Sequence, residues 1–416
     1  MTVTGRANLT NRDVLIPVGL VALFLATRIL IFRSLQLKAV SFVANDVGYY
    51  GFYLNKLSLG ETDVMLEYPV PAVWALQAIY WLGGGVETWS PVYVAVFLAL
   101  DAVIALLMYR RGNAAGSLFW ILFTGAQGAI VLHRFDLIPA ALVAVACLYA
   151  LRFPKVAGAA IGLGAAIKLW PALLIGALLA PFDRGRARLL GFIAAGFGLA
   201  AASLITSGWT RSASPLTWQS DRGLQIESVP ATPLMALRAF TFSERWTIEL
   251  TPFNAVEVTV GPGVGLMMGV STVLTAGAVV LTVYLGYRLL RAFRVEDHRS
   301  HEAMVLAVLA IVLATVVANK TLSPQYIVWL GGPVAALLVI RRSEWLRSHT
   351  VVLAVSMLVV GGLTQLVYPW MVYGLMAVPL GSGPETAVLV LRNLALITLT
   401  FYAVWLAIRA TRRTTI

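Results

Sequence analysis

The chain has 416 residues, of which 59% are hydrophobic and only 12% charged, with a mean hydropathy of +0.84. A water-soluble domain carries about a quarter charged residues to cover its surface, so this composition excludes a soluble enzyme and describes an all-α polytopic membrane protein. The net charge of +12 would suggest nucleic acid in a soluble protein; here basic cytoplasmic loops account for it, and no nucleic-acid partner is expected.

In chain order, the first apolar segment begins near Val14, behind Arg6 and Arg12. It is too long for a signal peptide and contains Arg28, which predicts a retained first helix with Arg28 snorkelling to the nearby interface. Basic clusters then serve as cytoplasmic markers: Arg110 and Arg111; Arg152 and Lys155; Arg184, Arg186 and Arg188; Arg288, Arg291, Arg294 and Arg299; Arg341, Arg342 and Arg347; Arg409, Arg412 and Arg413. Each follows an even number of crossings, so both termini are predicted in the cytoplasm. Crossings are expected near 14–32, 91–109, 114–132, 137–151, 187–207, 264–288, 303–319, 326–340, 350–368 and 387–408.

The stretch 156–182 is too short for two full crossings and predicts a hairpin whose turn, Lys168-Leu169-Trp170-Pro171, stops below the outer surface. Counting it as two gives about twelve membrane helices in one integrated domain over residues 1–416. Two segments are external: 33–90, with an interfacial helix at 68–82, and the polar, Pro- and Trp-rich loop 208–263. Cys147 lies mid-helix and has no second cysteine to pair with.

The chemistry-bearing residues gather on the external side. Glu61, Asp63, Glu87, Glu244, Glu249 and Glu257 read as solvated loop charge, whereas Asp46, Asp136 and Glu227 sit among apolar or aromatic residues near a membrane boundary. A partly desolvated carboxylate there can take a proton from an attacking sugar hydroxyl. His133-Arg134-Phe135-Asp136 reads either as a turn closed by a local ion pair or as a cation held by a carboxylate to grip a phosphate, joined by Lys168 from the hairpin. Arg222, Lys320 and Arg392 are further cations on this side. No metal-ligand spacing, P-loop or Rossmann glycine pattern is present, and no cofactor or metal is expected.

The motifs Gly162-Leu163-Gly164-Ala165-Ala166-Ile167-Lys168-Leu169-Trp170-Pro171, Arg222-Gly223-Leu224-Gln225-Ile226-Glu227-Ser228, Leu322-Ser323-Pro324-Gln325-Tyr326 and Leu391-Arg392-Asn393, with His133 to Ala140, together resemble the actinobacterial polyprenyl-phosphate-sugar transferases of glycosyltransferase family 87. The resemblance implies a GT-C type bundle in a bacterial plasma membrane with its site facing the periplasm. It implies transfer of a sugar, typically mannose, from a polyprenyl phosphate donor to a lipid or glycan acceptor, with inversion. The family's essential acid in the first external loop maps onto Asp46; because Asn45-Asp46 departs from a paired-acid motif, Glu67 and Glu227 stay as rival bases. Arg134, Lys168, Arg222 and Arg392, with Lys320, would hold the donor phosphate, and His133, Asp136, Gln225, Glu227, Gln325 and Tyr326 would line the substrate. Membrane lipids surround the bundle, and the donor's tail would lie between helices with the 68–82 helix as one wall. The competing reading is a transporter or lipid flippase, which also carries intramembrane charge and broken helices; the halves lack a matched pair of breaks, and the charge does not line a path across.

Overall fold

Hydrocarbon offers no partner to a backbone amide, so a chain this apolar satisfies its own hydrogen bonds in helices. The computed structural model describes residues 11–111 and 114–412; Arg6 and Arg413 of the basic clusters lie outside the described residues. Helix α1 spans Asn11–Ser34 and is followed by short turns to Ala44, then α2 (Asn45–Ser58), α3 (Val70–Leu82), α4 (Trp89–Arg111), α5 (Ala114–Gln127), α6 (Leu137–Tyr149) and α7 (Pro154–Ile167). A helix over 182–221, α8, contains a wide turn at Ile193–Phe197 and breaks at Gly208, whose φ of 73° suits glycine. Then come α9 (Thr232–Phe240), α10 (Val264–Ala292), α11 (His298–Ala318), a tight turn over Pro324–Leu330 running into α12 (Gly331–Val339), α13 (Glu344–Gln365) and α14 (Gly383–Arg412).

The all-α expectation holds for the bundle and needs one correction. Strands β1 (Leu224–Gln225), β2 (Thr247–Thr251) and β3 (Ala255–Val260) form an antiparallel sheet of order β1-β3-β2 inside the segment read as a large loop. The alternation Val256, Val258, Val260 suits a strand, and Asn254 with φ of 51° turns the β2-β3 hairpin. The sheet packs on α9 and the start of α10 through Leu224, Ile226, Met235 and Val258.

Among the described residues, seven helices are long and apolar enough to cross a membrane: Val14–Ser34, Trp89–Arg111, Phe182–Asp221, Val264–Ala292, His298–Ala318, Glu344–Trp370 and Gly383–Arg412. They make this a multi-pass membrane protein. The remaining expected crossings are shorter. The stretch 114–132 is broken after Gln127 at Gly128 (φ of 70°); 137–151, the first arm of the 156–182 hairpin and 326–340 form helices of 9 to 14 residues, and the hairpin's second arm is a tight turn over Trp170–Leu174 and a single helical turn over Ile175–Leu178. At 1.5 Å per residue, 14 residues reach about 21 Å, less than the roughly 30 Å hydrocarbon core. These short helices end where polar residues enter the protein, which is why a count of about twelve is not matched by twelve long helices. The 68–82 helix is also more than an interfacial element: Val70, Val73, Leu76 and Ile79 are buried against the bundle, with Trp81 and Leu82 exposed at its end.

Helix α11 is the mast of the bundle, buried along nearly its whole length and begun by a reciprocal Asp297–Ser300 cap. Arg28 departs from expectation. Rather than snorkelling, it is buried in an ion pair with Asp101 of α4, and Trp120 Nε1 donates to the other Asp101 oxygen at 2.8 Å. Lipid cannot solvate either charge, so the pair pins otherwise lipid-exposed α1 to α4 and α5. At the bundle's opposite end from Asp46, Arg188 is likewise buried, bonded to Glu296 at 2.6 Å and to the carbonyls of Leu178, Ala150 and Ala180. Removing one partner of the first pair, as in Asp101→Ala, is expected to destabilise the fold by about 3–5 kcal/mol, while the apolar double replacement Arg28→Met/Asp101→Leu recovers most of it. Thermal unfolding in detergent measures both.

Candidate active site

The segments that follow α1, α5, α7, α8 and α11 meet at one end of the bundle around a cavity of about 1640 Å³. Three local features present its polar groups. Pro171 stops α7 from continuing, so Lys168 sits in extended backbone (φ −152°, ψ 123°). Asn319 ends α11 by accepting the Thr321 amide at 2.8 Å, which turns Lys320 towards the cavity. Asp46 occupies the first turn of α2, where the helix dipole favours an anion, with Tyr49, Tyr50 and Tyr53 on following turns.

The expected acids and cations come together there, but with other partners than the local sequence suggests. Arg134 pairs with Asp46, not Asp136, and its guanidinium also reaches the Tyr368 hydroxyl at 3.4 Å. Asp136 instead accepts from Lys168 at 2.6 Å and from Trp329 Nε1 at 2.9 Å on the same oxygen. The Lys168 ammonium lies 4.4 Å from the ring centre of Tyr326 and 5.1 Å from that of Trp329, and Trp329 stacks between Tyr326 and Trp170. A cation so placed is oriented by π faces and a carboxylate while it lines the cavity, 22% exposed.

Glu257, expected to be a solvated loop charge, is buried and holds Arg222 at 3.4 Å and the Gly223 amide at 3.0 Å, because β3 carries it inward beside β1. Lys320 donates to the carbonyls of Ser220 and Arg222 and, among the described residues, has no carboxylate within ion-pair distance. Burial lowers its pKa below the usual lysine value, with Glu257 opposing. Lys320 is thus held by carbonyls with no carboxylate in direct contact among the described residues. Gln225, Gln325, Tyr326, Glu67 and Glu227 also line the cavity.

Two expected residues are not on its wall. His133 is buried with Nδ1 2.8 Å from the Ala129 carbonyl oxygen. Arg392 is fully buried behind Glu227: Nη1 donates to the carboxylate at 2.9 Å, the guanidinium also bonds the Glu227 carbonyl, and neighbouring Asn393 bonds that carbonyl and Thr232. Its place is behind the site rather than at a phosphate. The local sequence did not single out Trp170, Trp329, Tyr49, Tyr53 or Arg211; the spacing Asp46, Tyr49, Tyr53 on one helix was the available signal.

Residues 65–270 match the model of glycosyltransferase family 87. No curated protein and no solved structure matches the chain. The matched stretch holds Glu67, Arg134, Asp136, Lys168, Arg222 and Glu227, so most of the cavity's charge lies inside it, and the match indicates a membrane glycosyltransferase.

Burial pushes the Glu227 carboxyl up, with Arg392 pulling it back. In Arg392→Met that restraint is gone and the carboxyl rises further. A carboxyl raised in the folded state contributes stability below the ordinary glutamate pKa that is lost as pH rises above it, so this variant should be least destabilised at the acid end and progressively more so towards neutral pH, where an unpaired buried carboxylate costs about 3–5 kcal/mol. Unfolding curves across that range test it, and adding Glu227→Gln should flatten the profile.

Proposed function

We propose that the protein is an inverting glycosyltransferase of a bacterial plasma membrane that moves a sugar, mannose by the motif resemblance, from a polyprenyl phosphate carrier to a lipid or glycan acceptor. Its termini are cytoplasmic and its cavity opens to the periplasm in this reading. The observation that carries it is the meeting of Asp46 with Arg134 in a cavity that also holds Lys168, Arg222 and Lys320. The cations can hold an anionic leaving group and the carboxylate beside them can serve as base.

Exposure favours Asp46 over Glu227 as base: the Asp46 side chain is 25% exposed, whereas that of Glu227 is 3% exposed and stapled to Arg392. Glu67 is also partly open to the cavity, but of these two Asp46 is the acid paired with a cation and the one that the motif resemblance points to. The acceptor hydroxyl gives its proton to Asp46 as its oxygen attacks the anomeric carbon; the bond from that carbon to the phosphate oxygen breaks, and the electron pair leaves with the polyprenyl phosphate. Single displacement inverts the centre. Arg134 contacts the base, so a bound phosphate would draw it away from Asp46 and free the carboxylate to accept the proton. The leaving phosphate already carries charge and is met by fixed cations, so no cofactor enters this reading. An apolar arm of the cavity, between Leu169 and Leu173 of the hairpin and the small residues Gly269, Thr272, Thr275 and Ala276 of α10, suits an isoprenoid tail.

A transporter or flippase is not favoured, because the family match is to a transferase. Incubating the purified protein with radiolabelled polyprenyl phosphate mannose and a membrane lipid extract tests the proposal. Asp46→Asn should lower transfer by about 10²–10⁴-fold with donor binding retained, and Lys168→Gln should weaken donor binding itself. Wild type that binds no polyprenyl phosphate sugar would sink the reading.

A further inference from the structure

The cavity exceeds the roughly 300–1,000 Å³ that encloses one small ligand, and its chemistry is divided. Lys320 and Arg222 form one basic corner, Lys320 donating to the Arg222 carbonyl; around Asp46, Tyr49 and Glu67 the wall is aromatic and acidic. Asp46, Tyr49 and Tyr53 stand at i, i+3 and i+7 on α2 and so share a face. The Tyr49 and Tyr53 rings are 4.6 Å apart at 57°, both half-buried and both on the cavity wall. The Tyr49 hydroxyl donates to one Glu67 oxygen, and the Glu67 side chain remains partly open to the cavity.

The segment carrying Glu67 is not a free loop. Arg211 donates to the carbonyls of Met65 at 3.0 Å and Tyr68 at 3.1 Å, and the Ser214 hydroxyl donates to that of Leu66 at 2.7 Å. Three carbonyls flanking Glu67 are thus clamped by the part of α8 beyond the Gly208 break, and it is this break that redirects α8 over the segment. The clamp fixes one carboxylate against one tyrosine, which is the kind of support a recognition group needs to hold its geometry.

We infer that Glu67 is a specificity-determining residue of the acceptor subsite, orienting a polyhydroxylated ring stacked on Tyr53 and Tyr49, and that Arg211 is its positioning residue. The inference rests on the proposed transferase activity for the site's identity. Ring C–H groups suit an aromatic face, and two ring hydroxyls suit a fixed carboxylate acceptor. A fatty chain offers Glu67 no donor, and an anionic headgroup would be repelled by Glu67 and Asp46 together. Asp46, one helical turn before Tyr49, then faces the hydroxyl that attacks, so Glu67 orients and Asp46 deprotonates.

Binding tests this without turnover. The full-length protein in lipid nanodiscs is titrated with soluble methyl disaccharides of hexoses and pentoses, read by saturation-transfer NMR, and separately with polyprenyl phosphate. Wild type should bind at least one disaccharide; Glu67→Gln and Tyr53→Ala should each weaken it about tenfold, and Arg211→Ala to a similar extent with partial recovery in Arg211→Lys. Polyprenyl phosphate binding should be unchanged in all four, which also shows that they fold. No disaccharide binding by wild type, unchanged affinity in the variants, or parallel loss of both ligands overturns the inference. Failure of the transferase reading shows separately, as wild type that binds no polyprenyl phosphate.

Discussion

A charge that lipid and packed protein cannot solvate must carry its counter-charge with it, and this constraint organises the molecule. Arg28 with Asp101, Arg188 with Glu296, Arg392 with Glu227, Lys168 with Asp136, Arg222 with Glu257 and Arg134 with Asp46 join elements far apart in the chain. In a bundle whose helices gain little from hydrophobic association in lipid, such contacts fix which helix lies beside which. The partner of each cation is therefore a topological statement. Arg392 ties the last helix to the segment after β1, and Arg134 ties the α5–α6 link to the start of α2.

The same constraint shapes the cavity. Polar backbone can lie at membrane depth only where protein or a water-filled space receives it, and α5, α6, α7 and α12 are short because they stop at such a space. Their ends carry Arg134, Asp136 and Lys168, and the turn before α12 carries Gln325 and Tyr326. Truncated helices and gathered charge are thus one feature: each missing turn of helix is replaced by a side chain facing the cavity.

Much of this was legible in the sequence. Hydropathy located six of the seven long helices to within about six residues, while the helix expected at 187–207 runs on past the Gly208 break to Asp221, and the unusual length of 156–182 already set Lys168 at the tip of a short hairpin. The residue types of the cavity could be read because Lys, Arg and Asp beside apolar segments are rare without purpose. The pairing could not. The adjacency of Arg134 and Asp136 suggested a local pair, but the turn between them directs the two side chains to α2 and to the hairpin. Asp101 escaped notice within a 23-residue apolar helix, since only the fold shows that Arg28 lies opposite it. Glu257 was misread because a three-stranded sheet, built from residues far apart in sequence, carries a loop-like stretch into the interior.

The pairs also differ in how tightly they are closed, and that difference separates scaffold from site. In Arg28–Asp101 and Arg392–Glu227 every side chain is at most 4% exposed, so an exchange of partners would strand a charge. Asp46 is 25% exposed and Lys168 22%, and each faces the cavity. In the proposed reaction an incoming phosphate would replace a carboxylate as the cation's partner; Asp46 would still face the cavity, whereas Asp136, 3% exposed, would rely on its other contact. For Asp136, which Trp329 also holds, that exchange leaves an indole hydrogen bond in place. For Asp46 it leaves a carboxylate with fewer restraints on accepting a proton. Under the proposed function, the arrival of the donor and the activation of the base would be one electrostatic event, centred on the Arg134–Asp46 pair.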